Sequence, residues 1–308
     1  MIHPNLDSAP SPWHSGERAL QEHYGVAEQM DRVGRRVIRD YMPDQHRTFF
    51  GQLPFVLVGA VDNSGAVWAS ILEGAPGFIT SPDPRTLRLR AMLPEGDPVS
   101  DRLVAGAAVG LLGIELHTRR RNRMNGKIAN STQFAFDVTV EHSFGNCPQY
   151  IHPRHLAFVP DRGAAVQSLR AEGLTNEGRA MIAVADTFFV ASYVDADGDV
   201  ARRSVDVSHR GGDAGFVHVS GDVLTIPDFS GNLHFNTLGN LIANPRAGLL
   251  FVDFERGDIL QLTGRTEVIL DGPEVEQFEG AERLWRLTVE KSVLRQGAFS
   301  RRQQGGPA

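Results

Sequence analysis

The sequence predicts a mainly β protein with a few helices, arranged as two small barrels in tandem. Three observations lead there. From Phe55 onward, short aliphatic and β-branched runs alternate with Gly, Asp, Asn and Pro, the texture of strands joined by tight turns. Gly supplies 32 and Pro 17 of 308 residues, which favours turns over long helices. The third observation is a repeat. Asp62-Asn-Ser-Gly65-Ala-Val67 resembles Asp195-Ala-Asp-Gly198-Asp-Val200 at an offset of 133. Gly77-Phe78-Ile79 then matches Gly215-Phe216-Val217, Gly110-Leu-Leu-Gly-Ile-Glu115 matches Gly248-Leu-Leu-Phe-Val-Asp253, and Gly126-Lys127 matches Gly264-Arg265, all at 138. Preserved order and spacing point to two copies of one β unit.

In chain order, residues 1–50 form a helical lead-in. Leu20, Tyr24, Ala27, Met30, Val33 and Val37 fall on one face of a helix over Glu17 to Arg39, which Pro43 stops. Residues 51–160 form the first copy, where Phe55–Val61 and Ala66–Leu72 make a hairpin around Asp62-Asn-Ser-Gly65. The boundary lies near 155–185, with a short helix at Ala164–Ala171 and then a strand from Met181 to Tyr193. Residues 180–308 form the second copy, with strands at Thr187–Tyr193, Val200–Val207, Phe216–Val219, Val223–Ile226, Ala247–Phe254 and Ile259–Leu270. A short helix covers Thr237–Ala243. The spacing of Phe278, Ala281, Leu284, Trp285 and Leu287 predicts a C-terminal helix over Glu274–Leu294. Six or so strands with one or two helices make a small barrel.

Charge and composition narrow the function. Thirty-one basic residues against 37 acidic give a formal charge of −6, so neither nucleic acid nor an anionic membrane is the expected partner. One cysteine cannot form an internal disulfide. The N-terminus lacks the charged and apolar regions of a signal peptide, and the most apolar stretch, Leu103–Leu116, is too short to span a bilayer. A cytoplasmic protein is expected. No GxxxxGK[ST] loop, strand-linked GxGxxG or GxSxG elbow occurs. His152-Pro-Arg-His155 with Cys147 fits no common zinc spacing, so no metal is expected. Cys147, beside Pro148, is expected to be packed rather than reactive.

The chemically informative residues cluster in the second copy. Ser208-His209-Arg210-Gly211-Gly212 ends a strand, followed by Asp228, Gly231-Asn232 and Asn236-Thr237-Leu-Gly-Asn240. Glycines free backbone N–H groups, and arginine offers a forked set of donors, so a strand ending this way can hold a phosphate. Thr237 and Asn240 at a helix start favour an anion too. Turn and capping duty is the alternative use of the same residues.

The run Asn232-Leu-His-Phe-Asn-Thr-Leu-Gly-Asn-Leu-Ile-Ala-Asn-Pro-Arg-Ala-Gly-Leu-Leu-Phe251, closing with Leu262-Thr-Gly-Arg265, resembles the FMN-binding split barrels related to pyridoxamine 5′-phosphate oxidase. That resemblance implies tandem split barrels binding FMN, with Ser208, His209 and Arg210 lining the flavin ring and phosphate. Asn236 and Thr237 stand where the oxidase has an Arg-Lys pair on the phosphate, and the oxidase's C-terminal substrate signature is not evident in Glu290–Ala308. True oxidase activity is therefore not expected. The family seats FMN between two barrels, normally of two subunits, so a homodimer is implied unless the duplication replaces it. The missing cations then come from the first copy, in Thr118-Arg-Arg-Arg121-Asn-Arg123, where alternation places Arg119, Arg121 and Arg123 on one face. A solvated basic edge is the alternative. The first copy, with Ser81-Pro-Asp-Pro-Arg85 and an apolar run in place of the Asn-rich loop, is expected to have lost its own flavin site. The function implied is an FMN-dependent oxidoreductase taking a small-molecule substrate or an electron donor such as NAD(P)H. Alternatives are a non-catalytic flavin carrier or sensor, and a structural dimerisation module. No general acid or base can be named, although His209 has a suitable ordinary pKa.

Overall fold

A computed structural model describes residues 11–145, 147–160 and 167–304. The lead-in is three helices: α1 (Ser15–His23), α2 (Ala27–Val37) and α3 (Asp44–Gln52). The single helix expected over Glu17–Arg39 is broken at Gly25, whose φ of +68° closes α1. Pro43 takes the N-cap position of α3. His14 caps α1 by accepting from the Gly16 N–H, while Glu17 reaches back to the His14 N–H.

The mainly β expectation holds. A first antiparallel sheet contains β1 (Phe55–Val61), β2 (Val67–Glu73), β3 (Ile79–Asp83), β4 (Thr86–Leu89), β5 (Ala108–Glu115), β6 (Arg120–Ser131) and β7 (Phe136–Gly145). The connection brings β8 (Leu156–Phe158), β9 (Ser168–Glu172) and α4 (Asn176–Ala183). A second sheet contains β10 (Thr187–Asp195), β11 (Arg203–Gly211), β12 (His218–Ser220), β13 (Val223–Phe229), β14 (Arg246–Val252), β15 (Ile259–Ile269) and β16 (Ala281–Arg295). Helix α5 (Asn236–Ala243) lies between β13 and β14, and β17 (Arg301–Gln303) pairs with β8. The first sheet runs β2-β1-β5-β6-β7-β4-β3, the second β11-β10-β14-β15-β16-β13-β12 with β9 added on β16. Position by position the two orders are the same. Neither order closes on itself among the described residues, so each sheet stays open along one seam.

Three expectations are corrected. The C-terminal helix is strand β16, because Trp285, Leu287 and Val289 alternate with Arg286 and Thr288 between buried and less buried positions, and that period of two outweighs the helical spacing. The strand expected from Met181 begins only at Thr187, since Thr175 caps α4 by accepting from the Gly178 N–H. Of the helix expected over Ala164–Ala171, residues 164–166 lie outside the described residues and 168–171 belong to β9.

The sequence offset of 138 is also the rule of packing between the halves. A Cβ on Gly110 of β5 would come within 2.6 Å of the Val205 carbonyl on β11, and one on Gly248 of β14 within 2.4 Å of the Val67 carbonyl on β2. Both pairs exchange under the same offset, as an internal two-fold relation requires. Strand irregularities recur at Asn125/Gly126 in β6 and Thr263/Gly264 in β15. Each half has its own apolar core. A third cluster, including Leu57, Leu112, Phe189, Ala191, Val207 and Leu250, joins the two.

Candidate functional site

The site grows from two strands, one from each half. Alternation puts Arg121, Arg123 and Asn125 of β6 on one face, and Asp206, Ser208 and Arg210 of β11 on one face. Arg123 is buried among them. Its Nη2 donates to Ser208 Oγ at 2.5 Å and its Nη1 to Asn236 Oδ1 at 2.7 Å, with Asp206 Oδ2 3.4 Å away. Its guanidinium also lies 5.5 Å from the ring of Phe144, its partner across β6 and β7. Thr237 donates to Ser208 Oγ at 2.8 Å, Ser208 donates to Asp206, and Asn125 donates to Asp206. This network forms a wall.

On one side of the wall a cleft is lined by Arg121, His209, Arg210, Gly211, Asp228, Asn232, Asn236 and Thr237, all expected from sequence. Ser208 is fully buried behind them. Asn240 faces a neighbouring cavity of about 890 Å³ and donates to Ser192 Oγ at 2.9 Å. The solvated-edge alternative fails for Arg123, which is buried; Arg121 is half-buried at the cleft, and Arg119 sits exposed in the turn before β6 with φ +56°. The sequence reading missed Arg283 and Tyr150 as cleft residues, and Cys147 lines the mouth exposed rather than packed. Among the described residues, three of the five non-glycine residues with positive φ, Tyr150, Leu233 and Phe235, line this one cleft. Such backbone costs about 1–3 kcal/mol per residue and gathers at functional sites.

The expected phosphate contacts are partly spent inside the protein. Asn236 donates from Nδ2 to Glu17 Oε1 at 2.6 Å, and the Thr237 hydroxyl is turned to Ser208. Nothing in the local sequence signals Glu17, which arrives from α1 because Gly16 and Gly239 let α1 and α5 touch backbone to backbone. Burial pushes the Glu17 carboxyl up to about 8 despite the Asn236 hydrogen bond. A carboxyl bound more tightly to its proton when folded stabilises fully below its ordinary value, and that stabilisation is lost as the pH rises toward 8. Glu17→Gln keeps the acceptor for Asn236 but cannot ionise. The variant is therefore expected to match the wild type in unfolding temperature at about pH 5 and to exceed it at about pH 8.5. A pH-independent difference would contradict this.

The charge that remains in the cleft is positive. Arg210 lies 3.5 Å from Asp228, and Arg283, opposite Asp228 across β13 and β16, lies 3.4 Å from it. Asp228 thus serves two guanidiniums, and Arg283 pairs with Glu282 as well. Arg283 is packed on Tyr24 and Phe235, 4.8 and 5.0 Å from their rings, and its Nη1 has no hydrogen-bond partner among the described residues. Arg121 makes no ion pair among the described residues. It donates from Nε to the Cys147 carbonyl at 2.9 Å. Burial, then the charges of Arg123 and Arg210, pull it down to about 9, which leaves it cationic at neutral pH.

His209, on the opposite face of β11, stands edge-on to Phe189 with its Nδ1 3.2 Å from Arg121 Nη1. Guanidinium has only donors, so Nδ1 accepts and the proton is on Nε2. Burial and the nearby arginines keep the ring neutral by lowering its pKa well below the ordinary value. Nε2 is buried without an acceptor among the described residues, an omission that costs about 1–3 kcal/mol unless a ligand supplies one. Spare cations and an unmatched N–H fit an anionic, acceptor-rich group such as FMN. Room for water-sized molecules in the cleft is about 110 Å³, below the ~300 Å³ at which drug-sized ligands are usually held. A flavin ring would have to lie partly in the open mouth.

No protein-family model and no curated protein matches the chain. Among solved structures, an FAD-binding protein from Mesorhizobium loti is 14% identical, with 43% of this chain and 99% of that one covered at a TM-score of 0.29. HutZ, a heme storage protein from Vibrio cholerae, is 17% identical over 42% of this chain and 97% of its own, at 0.28. A candidate pyridoxamine 5′-phosphate oxidase from Lactobacillus delbrueckii is 16% identical over 41% and 97%, at 0.31. Scores this low carry no argument about the ligand, and the site stands on its own geometry.

Proposed function

We propose that the chain binds FMN in the cleft between its two sheets and works as a flavin-dependent oxidoreductase on a small-molecule substrate. Arg121 carries this reading. A half-buried guanidinium with no carboxylate partner among the described residues, beside Arg123 and Arg210, is best completed by an anion. Bound FMN supplies the electron-accepting ring. The protein supplies compensation for the phosphate from Arg121 and Arg210, a hydrogen-bond donor from His209, and partial shelter from water beside Tyr150 and Phe229, whose rings stack 5.6 Å apart. Because β6 and β11 belong to one chain, a single copy builds both walls, and a homodimer would join complete clefts. No helix among the described residues is long and apolar enough to cross a membrane.

A non-catalytic carrier is the second reading, favoured by one observation. His209, the only imidazole among the described cleft residues, is held neutral with Nδ1 engaged, which leaves it poorly placed to shuttle a proton near pH 7. Anaerobic mixing of the FMN-loaded protein with NADH or NADPH separates the two. Bleaching of the flavin, followed by repeated turnover when an oxidant is admitted, is expected of the oxidoreductase. Bound flavin that is never reduced contradicts it.

A further inference from the structure

The internal two-fold relation gives the open cleft a counterpart. Arg123 of β6 and Ser208 of β11 map under the 138-residue offset onto Gln261 of β15 and Ser70 of β2. The mapped pair is also bonded: Gln261 Nε2 donates to Ser70 Oγ at 2.9 Å, as Arg123 donates to Ser208. The two loci then part. In the second half the β13–β14 connection brings α5, and Asn236 accepts from Arg123. In the first half the β4–β5 connection brings Asp97. Its Oδ1 accepts from Ser70 Oγ at 2.8 Å and from the Val99 N–H at 3.1 Å. Its Oδ2 accepts from Gln261 Nε2 and from Arg295 Nη1, both at 3.1 Å. Ser70, Asp97, Gln261 and Arg295 are all buried, at 3% exposure or less.

Four donors converge on the Asp97 carboxyl and offset part of the burial that pushes it up from its ordinary value, and a buried cation tolerates loss of a carboxylate partner badly. We propose that Ser70, Gln261 and Arg295 form a carboxylate-binding site that Asp97 of the same chain occupies, so that the protein holds one open cleft and one internally plugged counterpart. The second half of that statement rests on the proposed use of the open cleft; the first does not.

Asp97→Ala removes a carboxylate the size of formate, and formate is the probe. The variant is expected to unfold at a lower temperature than the wild type, and formate should raise that temperature by roughly 3–6 °C at a tenfold excess over its dissociation constant, beyond the effect of equal chloride. The wild type should respond alike to both salts, and Asp97→Ala/Arg295→Met should lose the formate response. If Asp97→Ala is not folded in plain buffer, recovery on refolding in formate against chloride gives the same readout. Equal behaviour in the two salts overturns the site. Two FMN bound per wild-type chain overturns the plug, whereas formate rescue with no FMN binding contradicts only the reading of the open cleft.

Discussion

Arg121→Ala is expected to weaken FMN binding about 10- to 100-fold while changing riboflavin, which lacks the phosphate, far less. A charge-assisted hydrogen bond contributes about 1.5–3 kcal/mol, and each ~1.4 kcal/mol is a factor of ten in affinity. Arg121 makes no ion pair among the described residues, so a phosphate competes there only with neutral acceptors, the Cys147 carbonyl and His209 Nδ1. Arg210→Ala should cost less, because Arg210 already has Asp228 at 3.5 Å. Parallel titrations of both variants with FMN and riboflavin check the order. Equal losses for the two flavins at Arg121 would mean that it supports the ring or the fold instead.

Arg123→Ala should have the largest effect on stability. It would leave Asp206 buried without its guanidinium and break the hydrogen bonds to Ser208 and Asn236 that hold β6, β11 and α5 together. Removing one partner of a buried pair costs about 3–5 kcal/mol, which lowers the unfolding temperature by roughly 6–20 °C at about 2–4 °C per kcal/mol. Arg88 is the control. It bonds Asp137 through two nitrogens at 2.7 and 2.8 Å but is half exposed, and such pairs contribute about 0–1 kcal/mol. An Arg123 variant no less stable than Arg88→Ala would show that the wall adds little to what the shared apolar cluster already holds together.

Much of this was legible in the sequence, for identifiable reasons. The strands of the second sheet announce themselves because β-branched runs end at Gly, Asp and Pro, and the offset of 138 survives because Gly110 and Gly248 cannot bear a Cβ against the facing strand. Arg121 and Arg123 could be placed on one face from strand alternation alone. Glu17 could not, because its partner Asn236 is 219 residues away and no local pattern reports a contact between two helices at glycines. Strand β16 was hidden by Leu284, Trp285 and Leu287, whose spacing also suits a helix. Asp97 was invisible until its donors could be seen to converge from β2, β15 and β16.

Titration of the flavin-free protein with FMN, followed by flavin fluorescence, tests the central claim most directly. The account predicts a fluorescence change that saturates at one FMN per chain, tighter for FMN than for riboflavin. No change, or equal affinity for the two flavins, would contradict it.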